Sequence, residues 1–298
     1  MLEGTPTTVA VVGTGRMGSA MAGTIGRAGF GLVLWNREPS KSERLAADLG
    51  ASIAASPAEA ASKADMVLSS LADDAAVEHV YMGPDGVVEG IPPGVVAVDT
   101  STIDPRTVES VGGAVEAAGA SFLDCPVSGS VSVVEAGALT IMAGGEASVI
   151  DRVRPVLDAM ASRVVHIGGR GAGSAMKLAV NNLVHGLNVA LSEAIVLAER
   201  AGVPRTTAYE VFANGAGGAP FVNYKRESFE HPETAPVAFS LDLVAKDYEL
   251  ILGLGGRVGV PMEQAAASQE IVRRAIANGY GDRDLSAIAV FLRGGDVG

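Results

Sequence analysis

Six residues near the start of the chain, Gly13-Thr14-Gly15-Arg16-Met17-Gly18, restrict its fold more than any other stretch. They lie between an apolar run at 8–12 that reads as a buried strand and a helical pattern reaching about residue 28. Strand, G-x-G-x-x-G and helix, in that order, make a phosphate-binding turn. One glycine forms the tight bend, one lets backbone approach a pyrophosphate, and one lets the helix pack on the strand. The helix N-terminus then faces the phosphates. The alternative is an ordinary glycine turn. The first reading requires a parallel sheet behind the turn and a dinucleotide in front of it.

The following residues predict that sheet. Apolar runs at 31–36, 51–54, 66–71, 95–99, 121–124, 139–143 and 164–167 read as strands. Helical patterns at 57–62, 73–81, 105–118 and 146–160 separate them. Strands alternating with short helices predict an α/β Rossmann-type doubly wound sheet. After residue 167 the alternation stops. A Pro-free helical pattern over 173–200 is followed by others at 206–212, 241–254, 262–278 and 285–292. The expected organisation is a Rossmann domain at 1–168, then an all-α second domain at 169–298 that begins with a long inter-domain helix. The glycines at 168–173 resemble a second phosphate loop, but read better as the crossing between domains and a tight helix start. The segment 215–236, rich in Gly, Pro and charge, reads as a long loop.

Cofactor choice is written at the end of the second strand. NAD sites hold the ribose 2′-hydroxyl with a carboxylate about 20 residues beyond the glycines. Here Asn36 and Arg37 occupy that place, with Ser40, Lys41 and Ser42 beyond. Arg with a nearby Lys binds a 2′-phosphate that a carboxylate would repel, so NADP is expected; otherwise Arg37 and Lys41 are a solvated helix start. Ligands bind outside the carboxyl ends of such strands, which nominates Leu71 and Thr102. Thr102 either turns its hydroxyl and N–H toward the nicotinamide or serves the cap region of the helix beginning near Pro105. Ser128-Gly129-Ser130 offers either a donor-rich anion nest suited to a carboxylate or ordinary serine turn chemistry.

The long helix is apolar except for Lys177, Asn181, His185, Asn188 and Ser192, spaced 4, 4, 3 and 4 apart and therefore on one face. A hydride-transfer cofactor needs a proton donor from the protein. Lys177, near the domain junction, can protonate a carbonyl oxygen, and Asn181 can hold the lysine or that oxygen. The alternative for Lys177 is a snorkelling surface lysine. His185 lies two turns beyond Lys177 and reads as a satisfied core histidine. Asn188 and Ser192 are assigned to buried partners in the helical domain or across a dimer interface. Lys246-Asp247, after Phe239-Ser240-Leu241, either covers the cofactor from the second domain or is an exposed charge pair.

Composition narrows the remaining classes. A net charge of −12 with no basic stripe argues against nucleic acid. The single Cys125 excludes an internal disulfide and fits a reducing, cytoplasmic compartment. The histidines form no ligand spacing with one another or with Cys125, so no metal is expected. No secretory pattern opens the chain, and the apolar runs read as too short or too interrupted by charge and amide to span a membrane.

The ordered motifs TVAVVGTGRMGSAMA, WNR, DTSTIDP, DCPVSGS, GAGSAMKLAVNN and F-S-L…KD resemble the β-hydroxyacid dehydrogenases over nearly the whole chain. The resemblance implies a homodimer or homotetramer built through the helical domain, and NADPH-dependent reduction of a small aldehydo or keto acid. By position it implies Lys177 as catalytic lysine and Asn181 as substrate-orienting asparagine. Ser128, Gly129 and Ser130 would bind the substrate carboxylate beside Phe239, and Thr102 and Lys246 would touch the cofactor, with Asp247 positioning Lys246. Arg37 matches NADP-preferring branches. Ser130 departs from the commoner glycine and matches the glyoxylate reductase-like branch. The imine reductases are similar over the same length but usually replace the lysine with Asp or Tyr; some relatives lacking the lysine are non-catalytic scaffolds.

Overall fold

The computed structural model describes residues 7–294. The chain divides into two compact units at Lys177/Leu178. The first holds nine strands: β1 (Thr8–Val12), β2 (Gly31–Trp35), β3 (Ser52–Ile53), β4 (Met66–Ser69), β5 (Val96–Asp99), β6 (Ser121–Asp124), β7 (Val127–Ser128), β8 (Leu139–Gly144) and β9 (Ala161–Gly168). They form one sheet in the order β3-β2-β1-β4-β5-β6-β8-β7, with β9 on β8. From β3 to β6 every pairing is parallel, which is the doubly wound arrangement. β8 runs antiparallel to β6 and β7.

Both faces of the sheet are buried, and the strand period of two divides their residues. Val9, Val11, Leu32, Leu34, Leu68 and Val98 enter one core, while Ala10, Val12, Val33, Val67 and Ala97 enter the other. That is why these strands read as continuous apolar runs rather than alternating ones. The covering helices are α1 (Arg16–Arg27), α2 (Pro39–Leu49), α3 (Pro57–Ser62), α4 (Asp74–Met82), α5 (Val87–Gly90), α6 (Pro105–Ala117), α7 (Val131–Glu135) and α8 (Ala147–Met160). Ser56, Asp73 and Asp104 cap α3, α4 and α6 with their side chains.

The long helix α9 is Ala172–Arg200 and crosses the unit boundary. The second unit continues with α10 (Arg205–Asn214), α11 (Pro220–Tyr224), α12 (Arg226–Glu230), α13 (Leu241–Val258), α14 (Glu263–Ala275) and α15 (Ala287–Leu292). Its core gathers Val189, Ile195, Tyr209, Phe229, Tyr248, Val272 and Ile288. Among its described residues the sole β feature is an isolated bridge between Ser240 and Asp284.

Two expectations are corrected here. The segment 215–236 is not one long loop: it contains α11 and α12, because Phe221, Val222 and Phe229 bury their side chains and Lys225 finds a buried partner. By length and composition alone α9 is also apolar enough to cross a membrane, with a mean hydropathy of 1.2 over its most apolar window. A core helix of a folded domain passes the same test. In α9 Asn181, His185, Asn188 and Ser192 are all buried and hydrogen-bonded within the second unit.

Candidate active site

The glycine turn after β1 has the geometry its spacing predicts. Gly13 is left-handed (φ 92°), and a Cβ there would meet Ser70 O at 2.5 Å. A Cβ on Gly18 would meet Gly13 O, so helix and strand touch at this point. Around the Gly15 Cβ position there is open space. Gly15 also heads α1 with no side-chain cap, so no side chain occupies the place a ligand would take at this helix end. Beside it, Thr14 Oγ1 is buried with no hydrogen-bond partner among the described residues. An orphaned buried hydroxyl is costly unless a bound polar group completes it. Open backbone, positive helix end and idle hydroxyl together fit a dinucleotide pyrophosphate. Met17 is half-buried against the core behind the turn, and Arg16 lies on its exposed side.

Asn36 holds the turn in place. Its Oδ1 accepts from Thr14 N at 3.0 Å, and its Nδ2 donates to Glu38 O at 3.1 Å. Arg37 is exposed. Lys41 is held by Glu38 at 2.6 Å in an exposed pair, which pulls the Glu38 carboxyl below its usual range. Leu71 follows β4, and its N–H donates to Ser101 Oγ at 2.9 Å. Ser101 in turn donates to Asp99 Oδ1 at 2.8 Å, and Ser69 donates to the same oxygen at 2.6 Å. Asp99 is fully buried, and burial pushes its carboxyl up to about 6 despite these bonds. It ties the loop carrying Leu71 to the loop carrying Thr102. The cap of α6 is Asp104, so Thr102 itself is not the capping residue.

At the β7 end of the strand order, Lys177 Nζ donates to Val127 O at 2.7 Å. The catalytic candidate is thereby fixed to the residue before Ser128-Gly129-Ser130. Gly129 is left-handed (φ 141°), and a Cβ there would meet Leu139 and Val133 below 3 Å. Ser130 Oγ lies 2.9 Å from Ser132 Oγ. The start of α9 is closed by the chain itself: Asp124 accepts from Gly171 N (2.9 Å) and Ser174 N (2.8 Å). A carboxylate already fills this helix end, so the 168–173 glycines are no second phosphate loop.

Within the second unit, Asn181 Nδ2 donates to Asp247 Oδ2 at 2.6 Å. His185 Nε2 lies 3.1 Å from the same oxygen, and Lys246 Nζ lies 3.2 Å from Asp247 Oδ1. Asp247 is fully buried, so Lys246-Asp247 is not an exposed charge pair. The His185 ring packs in tilted contact with Phe239 and Tyr248, with centroids 5.7 and 5.6 Å away. Asn188 donates to Leu285 O and Ser192 to Asn188 O inside this unit, although Asn188 Oδ1 has no partner among the described residues.

Comparison with known proteins decides the family. A family model for the NAD binding domain of 6-phosphogluconate dehydrogenase matches residues 8–168. A second, for the NAD-binding domain of NADP-dependent 3-hydroxyisobutyrate dehydrogenase, matches residues 171–292. Glyoxylate/succinic semialdehyde reductase 1 of Arabidopsis thaliana is 35% identical over 280 residues, covering 94% of this chain and 96% of its own. The chain belongs to the β-hydroxyacid dehydrogenase family. It is an NAD(P)-dependent oxidoreductase. A solved 3-hydroxyisobutyrate dehydrogenase from Salmonella typhimurium superposes with a TM-score of 0.87 at 31% identity, covering 95% of this chain and 99% of its own. An imine reductase from Pseudomonas sp. reaches a TM-score of 0.65 at 22% identity over 95% and 98%, a likeness of fold alone.

Four residues of this dehydrogenase escaped the sequence reading. Asp99 and Ser101 lie inside the quoted DTSTIDP motif, but nothing local shows that the carboxylate is buried. Asp124 stands 47 residues from the N–H of Gly171 that it caps. Glu38 was visible beside Arg37, and its pairing with Lys41 at i+3 could have been read from spacing. His185 is a core histidine as expected, but only half satisfied: Nδ1 has no partner among the described residues.

Proposed function

We propose that the protein reduces a small aldehydo or keto acid with NADPH, and runs in reverse as a 3-hydroxyacid dehydrogenase. The carrying observation is the 2.7 Å bond from Lys177 to the carbonyl that begins the Ser128-Gly129-Ser130 turn. It holds a cationic proton donor next to a cluster of neutral N–H and O–H donors suited to a carboxylate. The bound nicotinamide supplies the hydride. Lys177 gives its proton to the carbonyl oxygen and recovers it in the reverse direction. Asn181, one turn later on the same helix, holds the lysine or the substrate oxygen. By the family resemblance, Phe239 would border the substrate, and Thr102 and Lys246 would hold the nicotinamide half. Arg37, Ser40 and Lys41 bind the 2′-phosphate, the basis for preferring NADPH to NADH.

The proposal extends to a homodimer working in the cytoplasm. Leu183, Ala190 and Leu197 recur every seven residues on the exposed side of α9, the two leucines 73% and 72% accessible, a stripe that a second copy can cover.

The test is NADPH oxidation against glyoxylate, succinic semialdehyde, methylmalonate semialdehyde and a cyclic imine, with Lys177→Ala alongside. Turnover of an aldehyde acid is expected. Lys177→Ala should lower kcat by about 10²–10⁴-fold and leave NADPH affinity unchanged. Full activity in that variant refutes the assignment, preference for the imine points to the reductases of that class, and tight NADPH binding with no turnover points to a scaffold.

A further inference from the structure

His185 is buried against two aromatic rings, and no step above uses it. Its surroundings define what it can do. Asp247 Oδ2 is the shared acceptor of Asn181 Nδ2 and His185 Nε2, and a carboxylate oxygen only accepts. His185 therefore carries hydrogen on Nε2, while Nδ1 has no partner among the described residues. The ring also packs against Phe239 and Tyr248, whose centroids lie 5.7 and 5.6 Å away.

Phe239 is itself pinned. Asp284 Oδ2 accepts from Ala238 N at 2.9 Å and from Phe239 N at 3.3 Å. Lys225, also buried, donates to both oxygens of Asp284 at 2.8 and 2.7 Å. From Lys225 through Asp284, Phe239, His185 and Asp247, each group is held by its neighbour, and the line ends on Asn181.

The consequence concerns the direction of the Asn181 amide. With Nδ2 turned to Asp247, Oδ1 is the atom left to accept from an ammonium or a hydroxyl. Rotated by half a turn, the amide would set its oxygen against the carboxylate and offer an N–H₂ to a cation. We propose that His185 is a positioning residue: by donating to Asp247 Oδ2 it fixes that carboxylate, which in turn fixes the acceptor face of Asn181. The inference rests on the role assigned above to Asn181 and Lys177. His185 touches neither substrate nor reacting atoms.

The test compares His185→Leu, which removes the donor, with His185→Gln, which returns an amide N–H near the Nε2 position. His185→Leu should lower kcat for succinic semialdehyde about 10- to 100-fold, the range of a lost supporting bond. The NADPH dissociation constant should stay within twofold, and His185→Gln should recover most of kcat. Nitrogen NMR on the wild-type protein gives a measurement independent of folding in the variants. With four histidines in the chain, the signal absent from His185→Gln identifies this ring, which should show the Nε2–H tautomer.

A folded His185→Leu with unchanged kcat overturns the proposal, as does an Nδ1–H tautomer. Equal loss in both variants at equal melting temperature overturns it too, because packing rather than the donor would then be what matters. Lys177→Ala separates the levels. If that variant keeps full turnover, the catalytic reading fails, whereas the tautomer still reports whether His185 holds Asp247.

Discussion

Gly15 and Gly18 make opposite predictions from the same short turn. At Gly15 the backbone is extended (φ −69°, ψ −169°), a conformation alanine adopts without strain, and a methyl group there meets nothing within 4 Å. Replacing it with alanine should leave the apo protein as stable as before, or stabilise it by about 0.4–1 kcal/mol through loss of unfolded-chain freedom. The methyl group would stand where the turn is open for a pyrophosphate. NADPH affinity should therefore fall at least about 100-fold, equivalent to some 2.8 kcal/mol of lost contacts. At Gly18 a methyl group would come within 1.9 Å of Gly13 O, against an ordinary approach of 3.4 Å or more. Helix and strand would have to part by over an ångström. Overpacking of that kind costs about 1–3 kcal/mol or more, so Gly18→Ala should melt earlier even without ligand. Thermal melting of the apo variants and fluorescence titration with NADPH read the two effects separately. Wild-type affinity in Gly15→Ala would show that the pyrophosphate does not lie on this turn, and an undiminished melting temperature in Gly18→Ala would refute the close approach.

Two other residues give predictions of different kinds. Glu38→Gln frees Lys41 and changes the charge on Arg37, Glu38 and Lys41 from +1 to +2, so affinity for 2′,5′-ADP should rise about three- to tenfold at low salt and converge with wild type at high salt; equal affinities at low salt would remove Glu38 and Lys41 from the 2′-phosphate site. Asp99 ionises at about 6 when folded against 3.8 for a free carboxyl, so between those values the folded state binds more protons and stability falls as pH rises. The full cost above pH 6 is on the order of 3 kcal/mol, about two units at 1.36 kcal/mol each. Asp99→Asn should flatten the melting temperature between pH 4 and 7, and an unchanged slope in that variant would assign the dependence to other groups.

Much of this architecture was legible because it rests on local rules. The strands beside the glycine turn are buried on both faces, so each appears as an unbroken apolar run whatever its partner. The glycines advertise backbone conformations few other residues tolerate. Lys177 and Asn181 share a face of one helix, and helical spacing alone reveals that. The errors fall where a short segment depends on one distant anchor. The residues of α11 and α12 carry the Gly, Pro and charge of a loop, and their order comes from Phe221 and Phe229 in the core and from Lys225 reaching Asp284, 59 positions away.

The same division explains why the site itself was only half readable. Residues that would touch a ligand sit in recognisable turns, because close approach to a phosphate or a carboxylate restricts the backbone. Residues that aim those groups are under no such restriction. Asp247 needs only to be buried opposite Asn181 and His185, 66 and 62 positions away in sequence. Any chain segment could have delivered that carboxylate, and helix spacing on α9 could show that a polar partner was required without showing which. The stripe on α9 was thus a demand whose supplier lay on α13. Once the supplier is known, the stripe separates into parts. Lys177 belongs with the Ser128 turn, and Asn181 and His185 belong with Asp247. Asn188 and Ser192 close hydrogen bonds that the core requires whether or not the protein is an enzyme.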